Sequence, residues 1–593
     1  MKNDEGQRTI PTVNFNCVHL LTLRWIAISC SSITTITGIT LRTVAQSTPP
    51  PGVNLPPTTP ERIEETIPNP TDSPPLPEES PASPPEPGLQ TPSSPQLPEV
   101  TTPSNVPFFV TEVEVLGNTV LHDEIATLKA EYENREVTFE ELLELRSRIT
   151  QLYLDQDYIT SGAFLPLQDP SNGVVQIQVV EGDLEQIEID GLNHLREGYV
   201  RSRLELATDA PLNRNQLEEA LQLLQLDPLL NQVDAELTAG SRSGSNILQV
   251  ELKESPTFHA GVSTANNQSP SIGSLQTSLF VAHDNLLGFG DRFSTQYSLT
   301  AGLDLYDINY AIPINARNGT LSVRYSNSDS SIIEDEFEEF DIESETRTFS
   351  VSFRQPISRS PEREFALSLA LDLRRSQTFL LDEPFSFSVG PEDGESKVTV
   401  LRFSQDWVDR SRSSRILAAR SQFSIGLDAF DATINNTGTD GRFFSWLGQF
   451  QWVQRLSPRT TLITQVNAQL TPDSLLSLER FSIGGVDSVR GYRQNQRVAD
   501  NGILGSLEVR IPLTSDPNQL QLAPFFAIGT AWNNQDPDPD PATIASLGLG
   551  LRWQIPSGLD LRLDYGIPLV EVNNQGDSLQ ENGLHFSLRY QPF

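Results

Sequence analysis

Six histidines are scattered along the chain, and both cysteines, Cys17 and Cys30, fall among its first 45 residues. No His/Cys/Asp spacing matches a metal site, and no glycine-rich phosphate loop precedes a helix. These residue types assemble no catalytic constellation, so the chain reads as no enzyme, with no metal and no cofactor. The stretch that could do chemistry is Gly484-Gly485-Val486-Asp487-Ser488-Val489-Arg490-Gly491-Tyr492-Arg493. Its glycines let a loop fold back tightly. Arg490 offers a planar fork of donors suited to an acidic group inside a wet cavity. The chemistry implied is pairing, with Val489, Arg490, Gly491 and Tyr492 at the centre of a glycine-rich loop over 483–500.

The elements around that loop alternate. Over 256–593, apolar and polar residues change places at almost every step. Leu321, Val323 and Tyr325 oppose Ser322, Arg324 and Ser326; Leu547, Leu549, Leu551 and Trp553 oppose Ser546, Gly548, Gly550 and Arg552. Leu559, Leu561, Leu563 and Tyr565 oppose Asp560, Arg562 and Asp564. A sandwich core would not bury three charges in succession. A membrane barrel with a water-filled interior would place them inward. Sixteen such runs occur, eleven before the loop and five after it, and an even number closes an antiparallel barrel without free edges. Long polar segments around 327–343, 377–395 and 429–441 read as external loops, while Asn318-Gly319 marks a tight turn. Aromatics such as Phe444, Trp446, Phe450 and Trp452 suit a lipid-facing wall. Outside the N-terminus no apolar run approaches the ~18 residues of a membrane helix. The formal net charge of −37 makes nucleic acid an unsuitable partner.

Ahead of the barrel, one pattern occurs twice. Residues 108–182 read as strand, helix (122–132), helix (139–156), strand, strand. Residues 183–255 repeat that order, with helices over 199–206 and 215–226. A repeat of ~75 residues whose units each have apolar faces to bury indicates two small α+β domains. Residues 46–107 are rich in proline, serine, threonine and glutamate, an extended linker with no core. Residues 1–45 have a basic front, a moderately apolar stretch and a Thr43-Val44-Ala45 site, the pattern of an export signal cleaved before Gln46. The exported chain would then hold no thiol.

Val489-Arg490-Gly491-Tyr492 resembles the signature of the inward loop in Omp85-type outer-membrane transporters, and the α+β repeats resemble POTRA domains. Asn285-Leu286-Leu287-Gly288-Phe289-Gly290-Asp291 resembles a turn common in one branch. Residues 108–593 are thus similar to TpsB transporters of the ShlB/FhaC/HecB haemolysin secretion/activation family. The Pro-rich front resembles that of cyanobacterial relatives. The resemblance implies α+β POTRA repeats in the periplasm, followed by a 16-stranded antiparallel transmembrane β-barrel in the bacterial outer membrane. It also implies a secreted TpsA-like β-helical protein as client, the membrane lipid and the barrel-assembly machinery as further partners, and a loop pinned inside the lumen. The last strand, with Phe586, Leu588 and Tyr590 in alternation and a terminal Phe593, resembles the insertion signal of such barrels. The alternative readings are an outer-membrane insertase and, less favoured, a passive porin.

One departure bears on the loop. Family members carry Phe-x-Asp-x-Gly after it, and that Asp faces the loop arginine. Here the matching stretch is Phe525-Phe526-Ala527-Ile528-Gly529, with Ala527 in place of the Asp. Glu508 or Asp564, at inward positions on neighbouring strands, are the candidate partners of Arg490. A further departure is that no N-terminal plug helix is evident.

Overall fold

The computed structural model describes residues 106–593, apart from Thr437, Asn574, Gln575 and Phe593. The expected export signal, both cysteines, the linker and the terminal Phe593 lie outside the described residues.

In the first α+β unit the helix Phe139–Asp155 starts on a capping box, in which the Thr138 side chain and Glu141 satisfy each other's backbone N–H groups. Its Leu142, Leu145, Ile149 and Tyr153 recur at helical spacing and are buried. They pack with Val113, Val175 and Ile177 of the sheet, one apolar cluster for the unit. In that sheet Glu112–Leu116 runs parallel to Val174–Val180, and Gly162–Phe164 pairs with the other side of Val174–Val180. The second unit repeats this order. Asp183–Asp190 runs parallel to Ser245–Glu254, which Leu230–Ala239 joins antiparallel. Helices Glu197–Leu204 and Arg214–Gln225 cover its apolar face. Among the described residues each unit therefore leaves two outer strands with one edge unpartnered in its own sheet, Glu112–Leu116 and Gly162–Phe164 in the first and Asp183–Asp190 and Leu230–Ala239 in the second.

Two details differ from the periodicity. The first strand of the chain breaks at Thr111, whose N–H donates to the Gly173 carbonyl at 2.7 Å. The piece before the break, Phe108–Val110, pairs instead with Arg135–Val137, a strand hidden between the two helices. The helix expected over 199–206 begins two residues earlier and ends in a 3-10 turn, Glu205–Ala207.

Sixteen antiparallel strands, from Phe258–Ala265 to Leu584–Tyr590, close into a barrel, with a two-residue strand Glu383–Pro384 added at the rim. Eleven precede the inward segment and five follow it. The wall turns its apolar residues outward: the cross-strand pair Leu549 and Tyr565 are 49% and 52% exposed, whereas Asp564, next to Tyr565 on the same strand, is fully buried on the inner side. Such a surface suits lipid and not water. The sixth, seventh and eighth strands, Ile342–Arg359, Arg363–Leu380 and Glu395–Arg412, run 18 residues each. About 9–11 residues cross a bilayer, so these strands project beyond it. That shortens the loops expected at 327–343 and 377–395 to 332–341 and 381–394. The polar ends still pair with their neighbours, and paired backbone holds a strand whether its side chains meet lipid or water.

The second α+β unit rests on the turn end of the barrel. The turn 285–291 is built by Asp291, whose carboxylate accepts from the N–H groups of Leu287 (2.9 Å) and Phe289 (3.3 Å) and from the Tyr310 hydroxyl (3.0 Å). Arg196 donates its backbone N–H to the Gly288 carbonyl at 2.9 Å, and its guanidinium lies 3.7 Å from the centre of the Phe289 ring. Arg203 donates to Asn318 in the next such turn.

Candidate functional site

Between the eleventh strand, Thr460–Leu470, and the twelfth, Asn501–Pro512, the chain enters the lumen. It forms a 3-10 turn, Ser477–Glu479, then a short hairpin of Phe481–Ile483 against Arg497–Ala499. The hairpin tip holds Val489 to Tyr492. Gly484 and Gly485 take φ of +107° and +102°, and the Ser488 hydroxyl accepts the Gly484 N–H at 2.8 Å. These positive angles fold the tip back on itself.

Arg490 is buried in a cluster of ions. Its Nη1 donates to Glu508 Oε2 at 2.7 Å and to Asp564 Oδ1 at 3.1 Å. Arg552 Nη2 donates to the same two oxygens, at 2.9 and 2.8 Å. The outer oxygens are taken by Arg510 Nε (3.0 Å to Glu508) and Arg562 Nε (2.7 Å to Asp564). Every carboxylate oxygen in the cluster thus has a cationic donor. Glu508 and Asp564 sit on the twelfth and fifteenth strands, and the fourteenth, between them, has glycine at the inward positions 548 and 550. A Cβ at Gly550 would lie 2.4 Å from Asp564 Oδ1, and one at Gly548 would lie 2.3 Å from the Phe525 ring. The alternation Ser546, Gly548, Gly550 therefore makes the room in which the ions meet.

Of the strand stretch Phe525 to Gly529, Phe525 contacts Arg490: the guanidinium carbon lies 3.6 Å from the ring centre. Ala527 lies two residues up the strand, fully buried in an apolar cluster with Ile483, Val489, Tyr492 and Ile544. A Cβ at Gly529 would touch Ile483 and Val489 at 3.3–3.4 Å. Val489 and Tyr492 thus dock on apolar wall where Arg490 docks on charged wall. The Tyr492 hydroxyl lies 2.8 Å from the Ala545 carbonyl and 2.9 Å from the Val570 carbonyl, and the Val570 N–H donates to it at 3.2 Å. Gly491 has φ +99°, and its N–H donates to His585 Nε2 at 2.9 Å. A Cβ there would meet the backbone of Gly566 at 2.8 Å, so the tip backbone lies directly on the fifteenth strand.

The closing strand Leu584–Tyr590 turns His585 inward, while Phe586, Leu588 and Tyr590 alternate with it on the outer face. It pairs with the first strand at four positions, Ser587 to Tyr590 against 262–265. Past them the Asn266 side chain extends the seam, donating to the Leu584 carbonyl at 2.8 Å and accepting the Phe586 N–H at 2.6 Å.

Several participants escape the sequence reading. Arg493 is buried and reaches Glu334 at 2.7 Å and Glu581 at 3.3 Å, tying the loop tip to two external loops. Glu479 meets Arg374 and Arg402 on the seventh and eighth strands. A signal existed in strand phase: Asp372, Arg374 and Arg402 stand at inward positions of runs whose outward residues are apolar.

A closed barrel behind paired α+β units, with a loop pinned across its lumen by an arginine, defines an outer-membrane transporter of the two-partner secretion class. The family described as haemolysin secretion/activation protein ShlB/FhaC/HecB matches residues 244–553, and the ShlB-type POTRA domain matches 108–182. The chain belongs to the haemolysin secretion/activation family. Among curated proteins it is 24% identical over 476 residues to the outer membrane transporter CdiB of Dickeya dadantii, covering 75% of this chain and 81% of that protein. It is 22% identical over 491 residues to the heme/hemopexin transporter protein HuxB of Haemophilus influenzae, covering 80% and 86%. Among solved structures, CdiB from Escherichia coli shares the fold at TM-score 0.64 and 21% identity, over 84% of this chain and 92% of that one.

Proposed function

We propose that the barrel exports one large secreted protein, of the β-helical haemolysin or adhesin kind, with the inward loop as its gate. The α+β units stand in the periplasm, and their unpaired strand edges, Glu112–Leu116 and Asp183–Asp190 among them, take up the client by strand addition. The barrel reaches the membrane through the assembly machinery, with Phe586, Leu588, Tyr590 and Phe593 as the insertion signal. The observation that carries this reading is the loop itself. A passive pore for small solutes needs no α+β units in front of it. A polypeptide pore needs a closure that yields to its client. Water-facing serines, glutamines and arginines line the remaining space, a cavity of about 640 Å³ beside the loop. Such a wall offers hydrogen bonds to an extended backbone without large apolar patches to hold it.

The test is a photo-crosslinking amino acid at Val115 or Ile189 on the strand edges and at Gln469 in the lumen, in cells that secrete the client. Adducts of one large protein at both places support the reading. Adducts at the edges but none in the lumen would refute export through the barrel.

A further inference from the structure

The inward segment is held at its base as well as at its tip. The side chain of Glu479, two residues before the hairpin, is 5% exposed and that of Arg374 beside it 6%. Glu479 Oε1 accepts from Arg374 Nη1 at 2.8 Å and from Arg402 Nη2 at 2.9 Å, and its Oε2 accepts from Arg402 Nη2 at 3.0 Å. Arg374 also donates to the Leu478 carbonyl. Arg402 is itself fixed by Asp372 (2.6 Å) and Ser424 (2.9 Å). The next residue, Arg480, points elsewhere, pairing with Asp500 at 3.4 Å and Asp536 at 2.7 Å. The base is thus clamped between the eighth strand and the loop after the thirteenth.

The two anchors have opposite polarity. At the tip the segment supplies the cation and the wall the acids, while at the base it supplies the acid and the wall the cations. The two anchors grip different strands, the twelfth and fifteenth at the tip and the seventh and eighth at the base, so the segment is held at two separate points along the lumen.

We propose that Glu479 is a positioning residue of the gate: with Arg374 and Arg402 it holds the base of the inward segment, and opening requires release there as well as at Arg490. This rests on the reading of the barrel as a secretion pore gated by that segment.

The experiment uses the full chain in planar bilayers with potassium chloride as the only probe. Glu479→Gln should raise the fraction of time spent open about tenfold, the change expected of one lost charge-assisted bond. Heat-modifiable mobility should stay at the wild-type value, because a purely structural role would lower the unfolding temperature without altering conductance of the folded pore. Glu479→Asp, with the charge kept, should recover part of the closed time. In Glu479→Gln/Arg490→Ala the two effects should multiply. Should Glu479→Gln fail to assemble, Arg374→Gln replaces it, since Arg402 then still pairs the acid. Its open fraction should rise by a smaller factor. Wild-type conductance in both variants, beside a raised conductance in Arg490→Ala, would overturn the proposal and leave the tip as sole anchor. No conductance in any protein would instead overturn the pore reading.

Discussion

Replacing Arg490 by alanine should open the lumen without dissolving the barrel. The magnitude follows from what the substitution leaves behind. Breaking a buried ion pair commonly costs about 3–5 kcal/mol because a charge is stranded. Here none is stranded: Glu508 keeps Arg552 (2.9 Å) and Arg510 (3.0 Å), and Asp564 keeps Arg552 (2.8 Å) and Arg562 (2.7 Å). What disappears is the loop's own hold. Charge-assisted bonds from Arg490 contribute about 1.5–3 kcal/mol and its contact with the Phe525 ring about 0.5–2 kcal/mol. A loss of about 3 kcal/mol is on the order of 100-fold in the docked-to-free ratio. A loop docked about 99 parts in 100 would become roughly evenly divided. Arg490→Lys should fall between, since an ammonium cannot reproduce the fork and its ring contact. Because one nitrogen serves both acids, Glu508→Gln or Asp564→Asn alone should reproduce part of the defect, and adding Arg490→Ala to either should cost less than it does in the wild-type chain. The assay is single-channel conductance beside the amount of heat-modifiable barrel in outer membranes. Wild-type conductance at wild-type barrel level in Arg490→Ala would refute the reasoning.

Gly491→Ala should displace the tip by a different route, through a φ of +99° and a Cβ 2.8 Å from the Gly566 backbone. Strain of about 1–3 kcal/mol is expected, read as increased protease access to the loop in intact cells. Unchanged access would mean the tip backbone does not depend on that contact. The Glu254 carboxylate should make docking of the second α+β unit sensitive to acid. Burial pushes its pKa up, but the N–H groups of Asn193, His194 and Leu195 outweigh that, and the folded value lies below the ordinary one. Those bonds, at 2.7–2.9 Å, shape the turn that meets Leu286 and Gly288 of the barrel. A lowered folded pKa gives stability that is full above the ordinary carboxylate range and lost as pH falls through the folded value. Protection against hydrogen exchange at 193–197, corrected for the intrinsic rate at each pH, should therefore fall below the ordinary range, and Glu254→Gln should remove that pH dependence. Equal pH dependence in both proteins would contradict this.

The wall was the most legible part of the molecule, because lipid outside and water inside impose a two-residue period on every strand. Leu559 to Asp564 show it without any structure. The same phase set Glu508 and Asp564 facing the lumen, but not their sharing of one Arg490 nitrogen. That depends on barrel curvature and on Gly548 and Gly550 leaving space between them. Arg493 and Glu479 were harder to read. Their partners lie 159 residues away at Glu334 and 105 and 77 residues away at Arg374 and Arg402, and nothing local marks a pairing across a lumen. The long sixth to eighth strands were hidden because their polar ends resemble loop by composition. Only pairing with neighbours keeps them extended. Phe108–Val110 was fused with the next strand because alternation continues through Thr111 while the partner changes.

The most direct test compares proteins released into the medium by the source bacterium with and without this chain. Deletion should remove one large protein from the medium and leave the other outer-membrane barrels at normal abundance. Wild-type chain should restore it, and Arg490→Ala should restore it poorly at equal barrel level. An unchanged medium together with loss of several barrels from the outer membrane would contradict the account and make the chain an assembly factor.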